Sequence, residues 1–401
     1  MVAVVLAAAF LANLAFRRYR IPDVLLLIFM GVLLGPVLGF ADIGLFRQIG
    51  PLVGTIAILV ILFDGGLEIR LADLRGGAAI GAMLAVVVFT ATVVLCMAVA
   101  TIRGMAWDLA LLLGLVLGGA GVVIVVPLIR RLGVDGRAAT AVTVEAAFAD
   151  VFVILGVYVA GAAIASGHAD GLAIGTGILV ALGVGIGVGL AAGLGWARLL
   201  GAGWLRGYEY VLTLAALFGT HVVVEASMGS GPIAVLAFGL VVGNSRRSRR
   251  FADESTLVAR DMRVPVFGES LAGVQQEVVF LVRALVFVGL GVTLDLAAFQ
   301  SPAVLVTGAV LTLAIAVARM GGAFALLRPY SVWDRTCVGL MFHRGVAAAA
   351  LSQVPADRFG IPGAEVLVAY AAVVIIMTNV LASLLVALNG ALARGRPMHH
   401  S

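Results

Sequence analysis

Residues 143–155 read TVEAAFADVFVIL, which places two carboxylates inside an otherwise apolar segment. A charged side chain at the centre of a bilayer costs at least about 2.5 kcal/mol, so an acid inside a membrane span indicates a functional site. On a helix, Glu145 lies one turn below Ala149, and Asp150 lies further round the helix. The two acids therefore point in different directions, and one can meet a structural partner while the other faces a cavity.

The composition on either side of this stretch is that of a membrane protein. Of the 401 residues, 63% are hydrophobic and 12% are charged, whereas soluble domains contain about 25% charged residues. The 51 glycines fit close helix packing in lipid. All 26 basic residues are arginines, and the net charge of +5 is expected in loops beside anionic lipid headgroups. We predict an all-α polytopic membrane protein with the lipid bilayer as partner, no nucleic-acid partner and no soluble regulatory domain.

About 20 apolar residues are needed for each crossing of a bilayer. On this basis the chain contains about 13 transmembrane spans, near residues 2–16, 21–39, 49–66, 76–101, 107–129, 138–166, 171–197, 207–226, 229–243, 275–297, 302–327, 335–355 and 362–391. Most arginines fall in the loops that follow odd-numbered spans, and arginine-rich loops are cytoplasmic. We therefore expect a multi-pass protein of the cell inner (plasma) membrane, with the N-terminus outside and the C-terminus in the cytoplasm.

The spacing of the spans divides the chain into two halves. Residues 1–166 hold the first six spans, residues 171–197 form a single linker span, and residues 207–391 hold the last six. Because the linker is one span, the second half enters the membrane from the opposite side, which is the arrangement of an inverted repeat. We predict that residues 1–401 form a single transport unit built from these two repeats.

Two spans at matching positions in the halves carry residues that break helices. The fifth contains several glycines, among them Gly118 and Gly119, followed by Pro127, and the twelfth places Arg344 and Gly345 at mid-membrane. Non-helical backbone survives in a membrane only where protein or a water-filled cavity satisfies it, so interrupted spans point to a transport site. We expect two broken helices that cross at this site.

Nine ionisable side chains fall within the predicted spans: Asp64, Glu145, Asp150, His221, Glu225, Arg283, Arg319, His343 and Arg344. Buried charges should pair with one another or line water. We expect Glu145 to pair with Arg344 and Arg283 to lie near Asp150. Asp150 then binds a proton or a cation, or else it is a structural acid, and its cost in lipid favours a function. Asp64 is expected at a helix end or in an entry funnel.

Several kinds of motif are missing from the sequence. It contains no phosphate-binding GxxxxGK[ST] loop, no HExxH and no paired CxxC. ATP-driven pumping and metalloenzyme chemistry are therefore unsupported. We expect a protein that is not an enzyme and that has no cofactor and no metal site.

Taken together, the motifs resemble the monovalent cation:proton antiporters, the broad group that includes NhaP-type and NHE-type sodium/proton exchangers and Kef-type potassium efflux systems. The stretches that carry this similarity are, in chain order, Arg20-Ile-Pro22, Gly31-Val-Leu-Leu-Gly35-Pro36, Leu62-Phe-Asp-Gly-Gly66, Glu145-Ala-Ala-Phe-Ala-Asp150, Gly229-Ser-Gly-Pro, the Arg283 helix and His343-Arg-Gly-Val. The resemblance implies about 13 helices in inverted repeats, crossing broken helices, a homodimer and elevator-like alternating access.

The resemblance also assigns roles to single residues. Asp150 is similar to the family's ion-binding and proton-carrying aspartate, with Glu145 and Arg344 as the bracing pair and Arg283 as the basic residue of electroneutral members. The chain departs from the sodium-type pattern in two places. Ala149 stands where that branch has asparagine, and Ala120-Gly121-Val122 stands where it has Thr-Asp-Pro. Ala120 and Gly121 are then expected to offer main-chain atoms to the ion.

These observations predict an electroneutral Na⁺ or K⁺/proton antiporter in which Asp150 binds either the cation or the proton. Two alternatives stay open, and the missing side-chain oxygens motivate the first. One is an uncoupled cation channel or leak with the same fold, and the other is a membrane scaffold or sensor that transports nothing.

Overall fold

The computed structural model describes residues 23–68, 78–120, 132, 134–167, 171–202, 207–255, 269–294, 296 and 300–394. The regular secondary structure in these ranges is helical, as predicted. The helices are α1 (Asp23–Val32, continued by a π-helical turn, Leu33–Val37), α2 (Ile43–Glu68), α3 (Ala78–Ile102), α4 (Trp107–Leu117), α5 (Gly136–Ala165), α6 (Gly171–Gly201), α7 (Glu209–Ala226), α8 (Gly231–Ser255), α9 (Glu269–Val292), α10 (Pro302–Leu326), α11 (Val332–Gly339), α12 (Val346–Leu351), α13 (Val354–Asp357) and α14 (Val366–Arg394).

Within the described ranges, seven helices are long and apolar enough to cross a membrane: α3, α5, α6, α7, α9, α10 and α14. The number rises to eight if the two segments of α2, Ile43–Gly50 and Leu52–Leu67, count as one span. Shorter apolar helices occupy Val24–Val37, Trp107–Leu117 and Gly231–Ser245. The total of 13 spans stays a prediction, and the first predicted span, 2–16, lies outside the described residues.

Two of the predicted spans are interrupted. In the twelfth, α11 ends at Gly339, residues 340–345 are not helical, and α12 begins at Val346. In the fifth, α4 ends at Leu117, far short of the predicted end at 129, and Gly118–Ala120 are not helical. The continuation, residues 121–131, lies outside the described part of the chain. The helix breaks thus begin close to the residues that the sequence indicated.

The helix that carries both carboxylates has a well-defined start. The Asp135 side chain caps α5 by accepting hydrogen bonds from the main-chain N–H groups of Arg137 (2.9 Å) and Ala138 (3.4 Å), which satisfies donors left free at a helix N-terminus. The main-chain N–H of Asp135 in turn donates to Asp334 Oδ1 at 3.1 Å, and Asp334 lies in the first turn of α11. One carboxylate therefore joins the start of α5 to the start of the broken α11.

The chain forms two compact units. The first comprises Met1–Gly54, Gly76–Ala169 and Ala284–Ser401, and the second comprises Thr55–Arg75 and Asp170–Arg283. Glu145, Asp150 and Arg344 belong to the first unit, and Asp64 and Arg283 belong to the second. Because these units reflect packing and not the order of spans, the division into repeats at 1–166 and 207–391 with linker 171–197 stays a prediction.

Glycines allow helices to approach closely within the first unit. A Cβ atom at Gly291 of α9 would lie 2.9 Å from both Gly31 Cα and Val32 N of α1. The atoms in the way belong to the main chain, so the neighbour cannot move aside as a flexible side chain would. Small residues at helix contacts are the usual means of close packing in lipid.

The Gly291→Val substitution should therefore destabilise the protein, since overpacking costs about 1–3 kcal/mol even where side chains can adjust. Gly321→Val is the matched control, because a Cβ atom at Gly321 of α10 meets no atom within 4 Å. The thermal unfolding temperature of detergent-purified protein should fall clearly for Gly291→Val and change little for Gly321→Val. Equal unfolding temperatures for the two variants would contradict the α1–α9 contact.

Candidate functional site

Asp150 lies on α5 with its carboxylate at the break that follows α4. The residue is 9% exposed. A Cβ atom at Gly119 would lie 3.1 Å from Asp150 Oδ1 and 2.9 Å from Val153 Cγ2. The missing side chain at Gly119 thus allows the carboxylate to approach the main chain at the break. Ala120, Ala146 and Ala149 pack together in a buried cluster, and such alanines contribute no side-chain oxygen.

Arg344 connects the two helix breaks. Its residue lies in the non-helical segment 340–345 and is 2% exposed, and its Nη1 donates a hydrogen bond to the main-chain carbonyl of Gly119. The last carbonyls of a helix have no partner within the helix and carry a partial negative charge, which a cation stabilises. Arg344 therefore satisfies a main-chain carbonyl just beyond the end of α4, near the negative end of that helix. Its charge also interacts with the carboxylate of Asp150.

Glu145 pairs with Arg319 of α10, and not with Arg344 as the sequence analysis expected. Glu145 Oε1 accepts from Arg319 Nη1, and the two side chains are 1% and 2% exposed. Arg319 Nε also donates to the main-chain carbonyl of Val338 at 3.1 Å, in the last turn of α11. The expected Glu145–Arg344 pair is wrong because the Arg344 guanidinium is committed to the Gly119 carbonyl on the other broken helix.

The two buried arginines thus have parallel roles. Arg344 lies on the carbonyl that follows α4, and Arg319 lies on a carbonyl at the end of α11. Each places a positive charge at the negative end of a helix that stops inside the apolar region. Arg319 was one of the charges predicted within the membrane, but no partner was predicted for it.

A second brace on the 340–345 break comes from α14. Asn379 Nδ2 donates to the main-chain carbonyl of Arg344 at 2.9 Å, and His343 Nε2 lies 3.3 Å from Ser383 Oγ. Asn379 and His343 are both completely buried. Asn379 was not among the predicted site residues, although an amide in the middle of an apolar last span was the available signal.

The remaining predicted site residues lie elsewhere. In the second unit the charge of Asp64 acts on Tyr210, and the Tyr210 hydroxyl donates to Gln275 Oε1 at 3.0 Å. The Arg283 guanidinium lies 5.9 Å from the centre of the Phe280 ring. The funnel role of Asp64 and the nearness of Arg283 to Asp150 stay predictions, and Gly121 lies outside the described residues.

The part of the chain that the structure describes contains no group of three or more metal-ligating side chains.

The observed pairing of Glu145 can be tested by stability alone. Removing one partner of a buried ion pair leaves an uncompensated charge, which costs about 3–5 kcal/mol, whereas removing both partners is often tolerated. Arg319→Met should therefore lower the thermal unfolding temperature strongly, and the double change Glu145→Met/Arg319→Met should recover much of the loss. The control pair Glu145→Met/Arg344→Met should show no such recovery. Recovery with Arg344→Met but not with Arg319→Met would restore the pairing predicted from the sequence.

Comparison with known proteins agrees with the family resemblance seen in the sequence. The sequence matches the family described as "Sodium/hydrogen exchanger, transmembrane" over residues 4–388. The Na⁺/H⁺ antiporter ApNhaP of Aphanothece halophytica is 28% identical over 253 residues, which is 60% of this chain and 46% of that protein. The K⁺/H⁺ antiporter NhaP of Alkalimonas amylolytica is 33% identical over 147 residues, 36% of this chain and 25% of that protein. The chain spans less than half the length of these curated relatives.

Solved structures are similar over the whole chain. The sodium proton antiporter MjNhaP1 from Methanocaldococcus jannaschii at pH 8 has a TM-score of 0.81 at 18% identity, with 98% of each chain covered. A second MjNhaP1 structure, from electron microscopy, has a TM-score of 0.72 at 19% identity, with 99% of this chain and 98% of that chain covered. These similarities confirm the predicted all-helical antiporter fold. The chain is a multi-pass membrane protein, and it belongs to the sodium/hydrogen exchanger transmembrane family, a family of transporters and not of enzymes.

Proposed function

We propose that the chain is a secondary active antiporter that exchanges a monovalent cation, Na⁺ or K⁺, for a proton across the cell inner (plasma) membrane. The names of the two curated relatives, a Na⁺/H⁺ antiporter and a K⁺/H⁺ antiporter, support this substrate class. The proposal includes a homodimer, an outside N-terminus and a cytoplasmic C-terminus, as expected from the resemblance and the arginine distribution.

One observation carries the proposal: the two acids of residues 143–155 have different surroundings. Glu145 is held in a buried ion pair with Arg319, so its charge is already balanced. Asp150 instead meets the main chain at a helix break, beside Gly119. A carboxylate at a break in a membrane helix, with carbonyl groups nearby, is suited to bind a cation or a proton.

The exchange follows from competition for this one carboxylate. A proton or a monovalent cation neutralises the Asp150 carboxylate equally, and an ionised carboxylate without a ligand is expensive to move through the apolar centre of the membrane. The site therefore crosses only when loaded, in either direction, in an elevator-type alternating access. One positive charge moves each way in a cycle, so the exchange is electroneutral.

The contact of Arg344 with Gly119 allows Asp150 to lose its charge, because the Arg344 guanidinium then still has a partner for its own charge. When a proton or a cation neutralises Asp150, the guanidinium remains on the Gly119 carbonyl at the negative end of α4, where positive charge is stabilised. Without that carbonyl, Arg344 would need Asp150 as its counter-ion and would oppose binding there.

The ligands of the cation follow from the departures in sequence. Ala120 and Ala149 are buried and contribute no side-chain oxygen. We therefore assign the Asp150 carboxylate, main-chain carbonyls of the α4 break and water as the ligands of a partly hydrated Na⁺ or K⁺.

The decisive experiment measures the dissipation of a pH gradient in proteoliposomes when Na⁺, K⁺ or Li⁺ is added. The parent should collapse the gradient with at least one cation, and Asp150→Asn should reduce the signal to that of empty liposomes, because an amide exchanges neither a proton nor a charge. Asp108→Asn is the matched control. Asp108 Oδ1 accepts from the main-chain N–H of Leu109 at 2.8 Å in the first turn of α4, so this variant should stay active.

The alternatives give other results in the same vesicles. Cation flux without proton counterflow would identify an uncoupled channel or leak. No flux by a folded parent protein would favour a scaffold or sensor. An exchange rate that changes when a membrane potential is imposed would contradict electroneutrality.

A further inference from the structure

The break at 340–345 leaves main-chain polar groups in an apolar region, where each one needs a partner within the protein. A side chain of α14 supplies one of these partners. Asn379 is completely buried, and its Nδ2 donates to the main-chain carbonyl of Arg344 at 2.9 Å and to that of Ile375, in its own helix, at 2.7 Å. The amide thus fastens the break to α14 at Arg344 itself.

These two hydrogen bonds fix the orientation of the amide. An asparagine amide has two N–H donors and one carbonyl acceptor, and both donors are directed at carbonyl oxygens. Asn379 Oδ1 therefore points elsewhere. Within the described residues, Asn379 Oδ1 and the Nε and Nη2 atoms of Arg344 are buried without a protein hydrogen-bond partner. Polar atoms of this kind ordinarily bind water.

The position of the Arg344 main chain decides where its guanidinium can reach. In the structure, Nη1 lies on the Gly119 carbonyl, and a Cβ atom at Gly119 would lie 3.1 Å from Asp150 Oδ1. A guanidinium freed from the carbonyl would turn to the nearby carboxylate, because a charged pair binds more strongly than a charge and a neutral acceptor. It would then compete with the cation for Asp150.

We propose that Asn379 is a positioning residue of the ion site: by holding the main-chain carbonyl of Arg344, it keeps the Arg344 guanidinium on Gly119 and leaves Asp150 free to bind the cation. This inference rests on the proposed antiporter function. The role belongs to the amide donor, since the neighbouring contact of His343 with Ser383, at 3.3 Å, joins two side chains and does not hold the main chain of the break.

The test compares Asn379→Leu with Thr378→Val in proteoliposomes. Thr378 is also completely buried, but among the described residues its hydroxyl donates only to carbonyls of its own helix, at Val374 (2.7 Å) and Ile375 (3.1 Å), so it is a matched control. Loss of one buried hydrogen bond corresponds to about a tenfold change in an equilibrium constant. Asn379→Leu should therefore raise the apparent KM for the transported cation about tenfold and leave the maximal rate nearly unchanged, and Thr378→Val should leave both unchanged.

A purely structural role for Asn379 would give a different pattern. It would lower the maximal rate or the amount of folded protein and leave KM at the parent value, and this result would overturn the inference. If Asn379→Leu does not fold, Asn379→Ala removes the same donor with a better helix former and must show the same rise in KM. A parent value of KM in that variant would also overturn the inference.

The design separates this inference from the function on which it rests. A parent that exchanges cations for protons, together with Asn379 variants that keep its KM, would refute only the role of Asn379. A parent that behaves like Asp150→Asn would refute the proposed function, and the inference would be refuted with it.

Discussion

The hydrogen bond from the Arg344 guanidinium to the Gly119 carbonyl joins the break that follows α11 to the break that follows α4. The centre of a bilayer contains no water to form hydrogen bonds with non-helical backbone, so the polar groups of that backbone must find partners in the protein. Here the partners are cationic side chains placed at the carbonyl ends of α4 and α11, where the helix dipoles are negative. The breaks and the buried arginines therefore stabilise each other.

This arrangement distributes the buried charges unequally. Arg319 balances Glu145 and also serves the carbonyl of Val338, which makes that pair a fixed brace between α5, α10 and the end of α11. The charge of Arg344 is stabilised in part by the Gly119 carbonyl, so Arg344 does not need Asp150 to be ionised at all times. As a result one acid is structural and the other can change its ligand, although the two lie only five residues apart on the same helix. In the proposed mechanism this difference makes one exchangeable carboxylate sufficient.

The sequence predicted the parts of this site that depend on local pattern. Apolar length located the helices, the acid Asp150 within an apolar segment indicated the site, and Arg344-Gly345 indicated the break in the twelfth span. The sequence did not predict which arginine meets Glu145, because Arg319 and Arg344 are equivalent as buried charges until the packing of α10 against α11 is known. The role of Asn379 was hidden for a similar reason: an amide reveals its use only when the carbonyl that it holds is placed. Gly119 indicated a helix break in the sequence, but its closeness to Asp150 is seen only in the structure.

The central claim is that a cation and a proton compete for Asp150, and proton release on cation binding tests it most directly. Calorimetric titration of the purified protein with the transported cation, in buffers of different ionisation enthalpy, gives the number of protons released for each cation bound. The account predicts close to one proton released at acidic pH, where Asp150 holds a proton, and a smaller number as the pH rises. Asp150→Asn should show neither binding nor release. Cation binding that releases no proton at any pH, or that persists in Asp150→Asn, would contradict the account.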